Sequence, residues 1–277
     1  ISQKIVGHKD GMKHIHEKSI VSIGDPVKRF SEDPVRSLRA IRFSNKLDFK
    51  IDKDIKEAIY EKGHLLSDIS NARLFDEFCK IFLSGMAEKN FNKLSSYGLS
   101  KYLISTDSER SEFTRNLIVE SLRNTDKRLI NGQSITPGFL IAALLWPGLI
   151  ERSLSRGEIN LRKFFRSMDY VLRNQQKITA VPRKFQSYIK DIWVLQLKLH
   201  SRIGKQPYKT LKHPRFRAAY DLLLLRERAT NKKQDLGKWW TDFQKNDENI
   251  KKALINDLKE KNIQETPKIF GFSEELR

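Results

Sequence analysis

Apolar residues recur at steps of three and four positions from residue 33 onward, a spacing that places them on one face of a helix. The first clear helix is predicted to begin at Asp33-Pro34. Asp suits the N-cap, and the N–H that Pro lacks would be unbonded in the first turn anyway. Val35, Leu38 and Ile41 then form the inner face of this helix, which we expect to end near residue 47.

The same periodicity predicts helices over most of the remaining chain. They span approximately residues 52–61, 71–83, 88–96, 109–123, 137–146, 158–179, 183–200, 214–229, 234–244 and 247–261. Residues 264–277 show little periodicity, which is typical of a loose tail. The chain is therefore predicted to be an all-α array of many helices.

The first 30 residues have a different character from the rest. Strand-like segments occur at residues 5–6 and 19–23, and no helix is predicted there. An isolated two-stranded hairpin is only marginally stable in water. We therefore expect residues 1–30 to be a short β remnant of a larger sheet domain.

The charge of the chain is strongly unbalanced. Lys and Arg total 53 against 34 Asp and Glu, which gives a formal net charge of +19. Such a surplus favours a polyanionic partner, with nucleic acid the first candidate and an anionic membrane the second. The most apolar run, residues 139–149, is far shorter than the roughly 20 residues of a membrane-spanning helix, so no membrane span is predicted.

The N-terminus and the cysteine content indicate the cellular compartment of the protein. The single Cys79 excludes an internal disulfide and fits a reducing compartment. No secretory signal opens the chain, and we expect a cytoplasmic protein. The chain begins at Ile1 rather than Met, which is typical of a fragment or a processed product.

Asp33 and Arg36 are three residues apart, so their side chains can meet at the start of the helix. A carboxylate beside a guanidinium can accept from the exocyclic amine of adenine and donate to the neighbouring ring nitrogen. Cytosine presents the same order of groups, whereas guanine and uracil present the reverse. The residues alone fit equally an ordinary ion pair at a helix end, worth a few tenths of a kcal/mol, and spacing alone favours that simpler explanation.

The segment between residues 24 and 43 resembles the signature of the bacterial class II nucleotidyltransferases. Its letters, in order, are Gly-Asp-Pro, Arg-Phe, Glu-Asp-Pro-Val-Arg, Leu-Arg-Ala and Arg-Phe. That family contains poly(A) polymerases and CCA-adding enzymes. The resemblance implies that Glu32, Asp33 and Arg36 read the base of the incoming nucleotide. It also implies that Arg39 and Arg42 lie near the nucleotide or the RNA.

Later segments resemble the poly(A) polymerase branch more than the CCA-adding branch. They are residues 124–126, 137–146, 191–205, 213–223 and 238–240. This resemblance implies template-independent addition of AMP from ATP to the 3′ ends of RNA (mRNA, tRNA or small RNA), with ATP as substrate. It also implies a remnant of the nucleotidyltransferase head over residues 1–30, a helical neck over 31–105 and an RNA-binding body over 106–263.

The catalytic residues of the family are not expected in this chain. In the family, a Gly-Ser pair and an Asp-x-Asp on a strand belong to a head domain whose carboxylates hold two Mg²⁺ ions. Asp52-Lys53-Asp54 has the letters but lies at a predicted helix start, where Asp is favoured by the helix dipole. We therefore expect Mg²⁺ only in the head, no metal ligand here, and no catalysis by this chain alone.

A basic region follows residue 200. Eight basic side chains occur there: Arg202, Lys205, Lys209, Lys212, Arg215, Arg217, Arg226 and Arg228. The first six are predicted to bind RNA, with the interleaved Tyr208, Phe216 and Tyr220 available to stack on bases. For any single residue, a solvated helix face with Phe216 in the core remains the alternative. For the whole protein, the alternatives are a CCA-adding enzyme and a non-catalytic RNA-binding helical module.

Overall fold

The computed structural model describes residues 10–105, 111–155, 158–230 and 235–260. It divides into two compact units. The first comprises the residues up to 104 together with 177–180, and the second comprises 105–176 and the residues from 181 onward. The predicted all-α class is confirmed, because helices dominate both units. The predicted strand at residues 5–6 and the tail at 264–277 lie outside the described residues.

In its described residues, the first unit contains six α-helices, two short strands and two 3₁₀ helices. The helices are α1 Gly11–His16, α2 Pro26–Glu32, α3 Val35–Leu47, α4 Lys53–Lys62, α5 Asn71–Phe82 and α6 Ala87–Ser96. The 3₁₀ helices are Gly63–Asp68 and Ser100–Tyr102. Strand β1 (Ser19–Ile20) pairs in parallel with β2 (Lys50–Ile51). The predicted strand at 19–23 is therefore shorter than expected.

The prediction that residues 1–30 hold no helix is wrong, because α1 and α2 lie there. Helix α2 begins where Asp25 accepts a hydrogen bond from the Val27 backbone N–H at 3.0 Å, and Pro26 occupies the first turn. Gly24, with φ of +82°, makes the turn before it. The helix was missed because it buries little besides Phe30, so it leaves no apolar period.

The role predicted for Asp33 as an N-cap is also wrong. The side chain of Asp33 makes no capping hydrogen bond, and Pro34 occupies the N-cap position of α3. Only the backbone carbonyl of Asp33 takes part in the first turn, accepting from the Arg36 N–H at 3.0 Å. The Asp33 carboxylate is therefore left to make contacts outside the helix backbone.

Apolar faces of α3, α5 and α6 build the core of the first unit. Leu38 and Ile41 of α3 are fully buried, as are Phe78 and Phe82 of α5. The rings of Phe78 and Phe82 are 4.9 Å apart, centroid to centroid. This packing fixes the polar faces of α3 and α5 next to each other.

Where the structure describes it, the second unit contains eight α-helices and one short hairpin. The helices are α7 Glu112–Ile130, α8 Pro137–Ser153, α9 Leu161–Gln176, α10 Arg183–Leu199, α11 Gln206–Leu211, α12 Phe216–Ala229, α13 Asp235–Lys245 and α14 Glu248–Glu260. Strands β3 (Leu154–Ser155) and β4 (Glu158–Ile159) pair antiparallel. Helix α11 and the hairpin were not predicted.

Helix α8 is the centre of the second unit and packs against α7, α9 and α10. It continues through Pro147 to Ser153, beyond its predicted end at residue 146, because burial on nearly every side offsets the hydrogen bond that Pro cannot donate. Trp193 of α10 is fully buried and donates to the Ala142 carbonyl at 2.9 Å. Within the described residues, no helix is long and apolar enough to cross a membrane.

Candidate nucleotide-reading site and RNA-binding surface

The predicted base reader, Asp33 with Arg36, is assembled as a close ion pair at the junction of α2 and α3. Arg36 Nε lies 3.8 Å from Asp33 Oδ2. The Asp33 side chain is only 19% exposed, whereas Arg36 is 46% exposed. A carboxylate can accept up to about four hydrogen bonds, so Asp33 keeps acceptor capacity beside a guanidinium that reaches the surface.

Arg73 is a third member of this site that the sequence did not indicate. It lies on α5, and its Nη2 donates to Asp33 Oδ1 at 2.8 Å. The two oxygens of Asp33 are thus held by different arginines, Oδ1 by Arg73 and Oδ2 by Arg36. The carboxylate is fixed from a second helix, which restricts its rotation before any ligand arrives.

Glu32, the neighbour of Asp33, is directed elsewhere. It ends α2 and accepts from Arg29 Nη1 at 3.3 Å, with both side chains well exposed. Arg29 Nε also donates to the Ile23 carbonyl at 3.1 Å, so this pair ties α2 to the turn that precedes it. The structure therefore gives Glu32 a local contact on α2.

Arg39 and Arg42 continue along α3 with different surroundings. Arg39 Nη2 lies 3.6 Å from Glu77 Oε1, and Lys80 Nζ donates to the same oxygen at 2.9 Å. Glu77 is 1% exposed, and a buried carboxylate is costly unless it is paired, so this contact fixes Arg39 against α5. Arg42 instead lies over the ring of Phe43, 4.4 Å from its centroid.

The six predicted RNA-binding residues of the second unit divide into two groups. The three arginines contact aromatic rings. The guanidinium carbon of Arg202 lies 5.5 Å from the ring centroid of Trp239. Arg215 lies 4.9 Å from the ring of Tyr188, and Arg217 lies 5.5 Å from the ring of Tyr220. Such cation–π contacts hold the guanidinium groups against the fold.

Arg217 and Arg226 of the basic region also form polar contacts within the second unit. Arg217 Nε is 3.1 Å from Asp221 Oδ1, and Arg128 approaches the other oxygen of Asp221 at 3.1 Å. Arg226 is 3% exposed and donates to Gln196 Oε1 at 2.7 Å. It therefore belongs to the core and not to the basic surface on which the sequence placed it.

Lys205, Lys209 and Lys212 form the second group and are exposed. Lys205 and Lys212 flank the short helix α11, and Lys209 lies within it. Positions four and three apart share one face of a helix, so the three ammonium groups follow one side of α11.

Two of the three aromatic residues that were predicted to stack on bases are not available for it. Phe216 is 6% exposed and Tyr220 is 5% exposed, because both belong to the core around Trp240. Tyr208 is partly exposed, and its ring meets Phe243 edge-on at 5.3 Å. The prediction of an aromatic stacking track therefore fails for Phe216 and Tyr220.

Cys79, on α5, is not poised to act as a nucleophile. Burial, assisted by the nearby Asp76 carboxylate, raises the pKa of its thiol to about 11. The reactive thiolate is therefore scarce near neutral pH. We expect iodoacetamide at pH 8 to alkylate the native protein at least about a hundredfold more slowly than the urea-unfolded protein, whose thiol has a pKa near 8.5. Equal rates, followed by mass spectrometry, would contradict this assignment.

Two family models match the chain. One, described as "Probable RNA and SrmB- binding site of polymerase A", matches residues 48–106. The other, described as "Polymerase A arginine-rich C-terminus", matches residues 156–268 and so includes the basic region. Each model falls largely within one of the two structural units.

Whole-chain relatives agree with these matches. Poly(A) polymerase I of Salmonella typhi is 36% identical over 261 residues, which cover 90% of this chain and 56% of that protein. Poly(A) polymerase I of Haemophilus influenzae is 37% identical over 259 residues, which cover 90% of this chain and 57% of that protein. The chain thus spans little more than half the length of these relatives.

The chain is also similar, over a shorter stretch or at lower identity, to proteins with other names. A CCA-adding enzyme of Geobacillus sp. is 39% identical over 100 residues, 36% of this chain and 25% of that protein. A solved structure described as "tRNA-processing enzyme (apo form 2)" shares the fold with a TM-score of 0.57 over 90% of this chain and 66% of that chain, at 18% identity.

Proposed function

The chain belongs to the poly(A) polymerase family of bacterial nucleotidyltransferases, and from that premise we propose that it selects ATP and binds RNA for an enzyme that adds AMP to RNA 3′ ends. In this reaction the 3′ hydroxyl of RNA attacks the α-phosphorus of ATP. A phosphodiester bond forms and pyrophosphate leaves. The first unit reads the adenine base and the second unit binds the RNA.

The proposal of base selection rests on the Asp33–Arg36 ion pair, in which Arg73 also binds Asp33. The adenine amine donates to the free lone pairs of Asp33, and the exposed guanidinium of Arg36 donates to the adjacent ring nitrogen. Guanine would place a donor against Arg36 and an acceptor against Asp33. Leaving polar groups unpaired in this way costs more than a good hydrogen bond gains, so the pair rejects guanine.

Arg73 contributes by fixing the carboxylate of Asp33. A carboxylate free to rotate could also turn toward a different base edge, whereas the 2.8 Å bond from Arg73 holds it in one orientation. Arg39 and Arg42 follow Arg36 along α3, and we propose that they contact phosphate groups of the nucleotide or of the RNA end. Glu32 supports the site from α2 through its pair with Arg29.

The metal chemistry of the family is not assigned to these residues. Among the described residues, no three His, Cys, Asp or Glu side chains come together as a group that could hold a metal ion. We derive no step of the reaction through Mg²⁺. The residues of this chain act by selecting the base and by holding the RNA.

A CCA-adding activity is the second candidate. The similarity to CCA-adding enzymes over 100 residues favours it, and cytosine presents the same order of donor and acceptor as adenine. Incorporation assays with the complete enzyme separate the two: the proposal expects ATP to be used alone and repeatedly. Efficient use of CTP on a tRNA acceptor would instead support the second candidate.

RNA binding by this chain is tested with labelled single-stranded oligo(A) across a salt series. We expect binding at low salt with a log–log slope of about −0.7 per phosphate contact, because each neutralised phosphate releases counterions. Poly(U) of equal length should bind with similar affinity, since phosphate contacts carry no base information. Absence of binding at low salt would remove the RNA-binding role from this chain.

A further inference from the structure

The groove between α11 and α14 combines the exposed lysines of the second unit with a residue from another helix. It has a volume of about 640 Å³ and is open to solvent. Lys205, Lys209 and Lys212 line it from the side of α11, and Lys252 lines it from α14. Four lysines therefore line one groove, in which Glu248 is the acidic lining residue.

The arginines of the basic region do not line this groove. Arg202, Arg215 and Arg217 instead pack on Trp239, Tyr188 and Tyr220. The charge of Arg217 is also shared with Asp221 at 3.1 Å. The basic side chains that line the groove are therefore those of lysines, and the three arginines lie elsewhere on the second unit.

We propose, resting on the function proposed above, that the α11–α14 groove holds the sugar–phosphate backbone of single-stranded RNA. Lys205, Lys209, Lys212 and Lys252 neutralise its phosphates. Neighbouring positions three or four apart on a helix place side chains about 5–6 Å apart, a spacing that lets successive lysines serve successive phosphates of an extended strand. The three arginines lie outside this groove, near the rings of Trp239, Tyr188 and Tyr220.

Tyr208 and Glu248 form the remaining polar contact in the groove. Burial raises the pKa of the Tyr208 hydroxyl, and so does Glu248, through its charge and the hydrogen bond it accepts. Glu248 also lies 3.2 Å from Lys251 Nζ. Its carboxylate positions the Tyr208 ring as a wall of the groove and, at the same time, opposes the entry of phosphate.

A pair of charge-matched variants tests the proposal on the whole chain. The groove variant carries Lys205→Gln, Lys209→Gln, Lys212→Gln and Lys252→Gln. We expect it to bind single-stranded oligo(A) at least tenfold more weakly at about 0.1 M salt, and to reduce the magnitude of the log–log salt slope by about 2–3. All four side chains are exposed, so the circular dichroism and thermal midpoint should remain those of the unmodified chain.

The matched control removes four exposed lysines of the second unit that do not line the groove. It carries Lys127→Gln, Lys163→Gln, Lys184→Gln and Lys238→Gln, and loses the same net charge. We expect its salt slope to change by less than about 1. Equal weakening in the two variants would overturn the groove, since only total charge would then matter.

A substitution that removes a negative charge from the groove completes the test. Glu248→Gln removes the carboxylate from the groove and frees Lys251, so we expect oligo(A) to bind two- to fivefold more tightly. Weaker or unchanged binding would contradict the proposed path of the phosphates. If the unmodified chain itself fails to bind oligo(A), the RNA-binding role fails as well. If it binds while the groove and control variants behave alike, only the groove is wrong.

Discussion

Replacing Trp240 with alanine is expected to lower the free energy of unfolding of the second unit by about 3–5 kcal/mol. Trp240 is fully buried, and its ring lies 5.2 Å from Phe216 and 5.6 Å from Phe243, centroid to centroid. Its indole N–H donates to the Leu199 carbonyl at 2.8 Å. The substitution therefore leaves a cavity and also a buried carbonyl that has lost its donor.

Urea denaturation followed by tryptophan fluorescence measures this effect selectively. The four tryptophans of the chain, Trp146, Trp193, Trp239 and Trp240, all lie in the second unit, so their emission reports on that unit. This choice matters because a chain with two compact units need not unfold in a single step.

Two further variants on α13 identify the cause. Trp240→Phe keeps a six-membered ring but loses the five-membered ring with its N–H, so we expect a loss smaller than that of alanine. Lys238→Ala changes an exposed residue on the same helix and should stay within about 0.5 kcal/mol. A cost below about 1 kcal/mol for Trp240→Ala would contradict the packing of α13 against α10 and α12.

Arg36→Ala is expected to weaken ATP binding by the complete enzyme by about 1–3 kcal/mol, which is roughly five- to 150-fold. The guanidinium donates to adenine in the proposed site, and no other donor of α3 replaces it at that position. The dissociation constant for ATP, measured by calorimetry, gives the effect directly. The ratio of ATP to GTP affinity should fall as well, because Arg36 is the group that disfavours guanine.

Lys46→Ala is the control for this measurement, since Lys46 is an exposed cation in the last turn of the same helix. We expect it to leave ATP binding unchanged. Arg73→Ala should act less strongly than Arg36→Ala and mainly on selectivity, because Arg73 positions Asp33 without touching the base. An unchanged ATP affinity in Arg36→Ala would reduce the Asp33–Arg36 contact to an ordinary ion pair at a helix end.

The helices were predictable where a single apolar face repeats. Helices α3 and α5 each bury residues at three- and four-position steps, and both lie within two residues of their predicted bounds. Helix α2 was not predictable in this way, since its buried surface is mainly Phe30. The Asp-Pro signal occurs twice, at residues 25–26 and 33–34, and only contacts in three dimensions show that the first Asp is the cap.

Half of the candidate reading site could likewise be predicted from local spacing. Asp33 and Arg36 are three residues apart, and a helix brings such positions together without help from the rest of the fold. Arg73 lies 40 residues from Asp33, and it reaches the carboxylate only because α5 packs against α3. A contact between distant segments leaves no periodic signal, so the sequence could not indicate it.

By itself, the sequence determined the helical class, the excess of positive charge and the local Asp33–Arg36 pair, because periodicity, composition and helix geometry act over a few residues. Only the tertiary structure decided which basic side chains line one groove. Arg202 is held by Trp239 of α13 and Arg215 by Tyr188 of α10, whereas Lys205, Lys209 and Lys212 meet Lys252 across a groove. Lysines and arginines carry the same charge along the chain, and the packing of distant helices determines which of them come together in one groove.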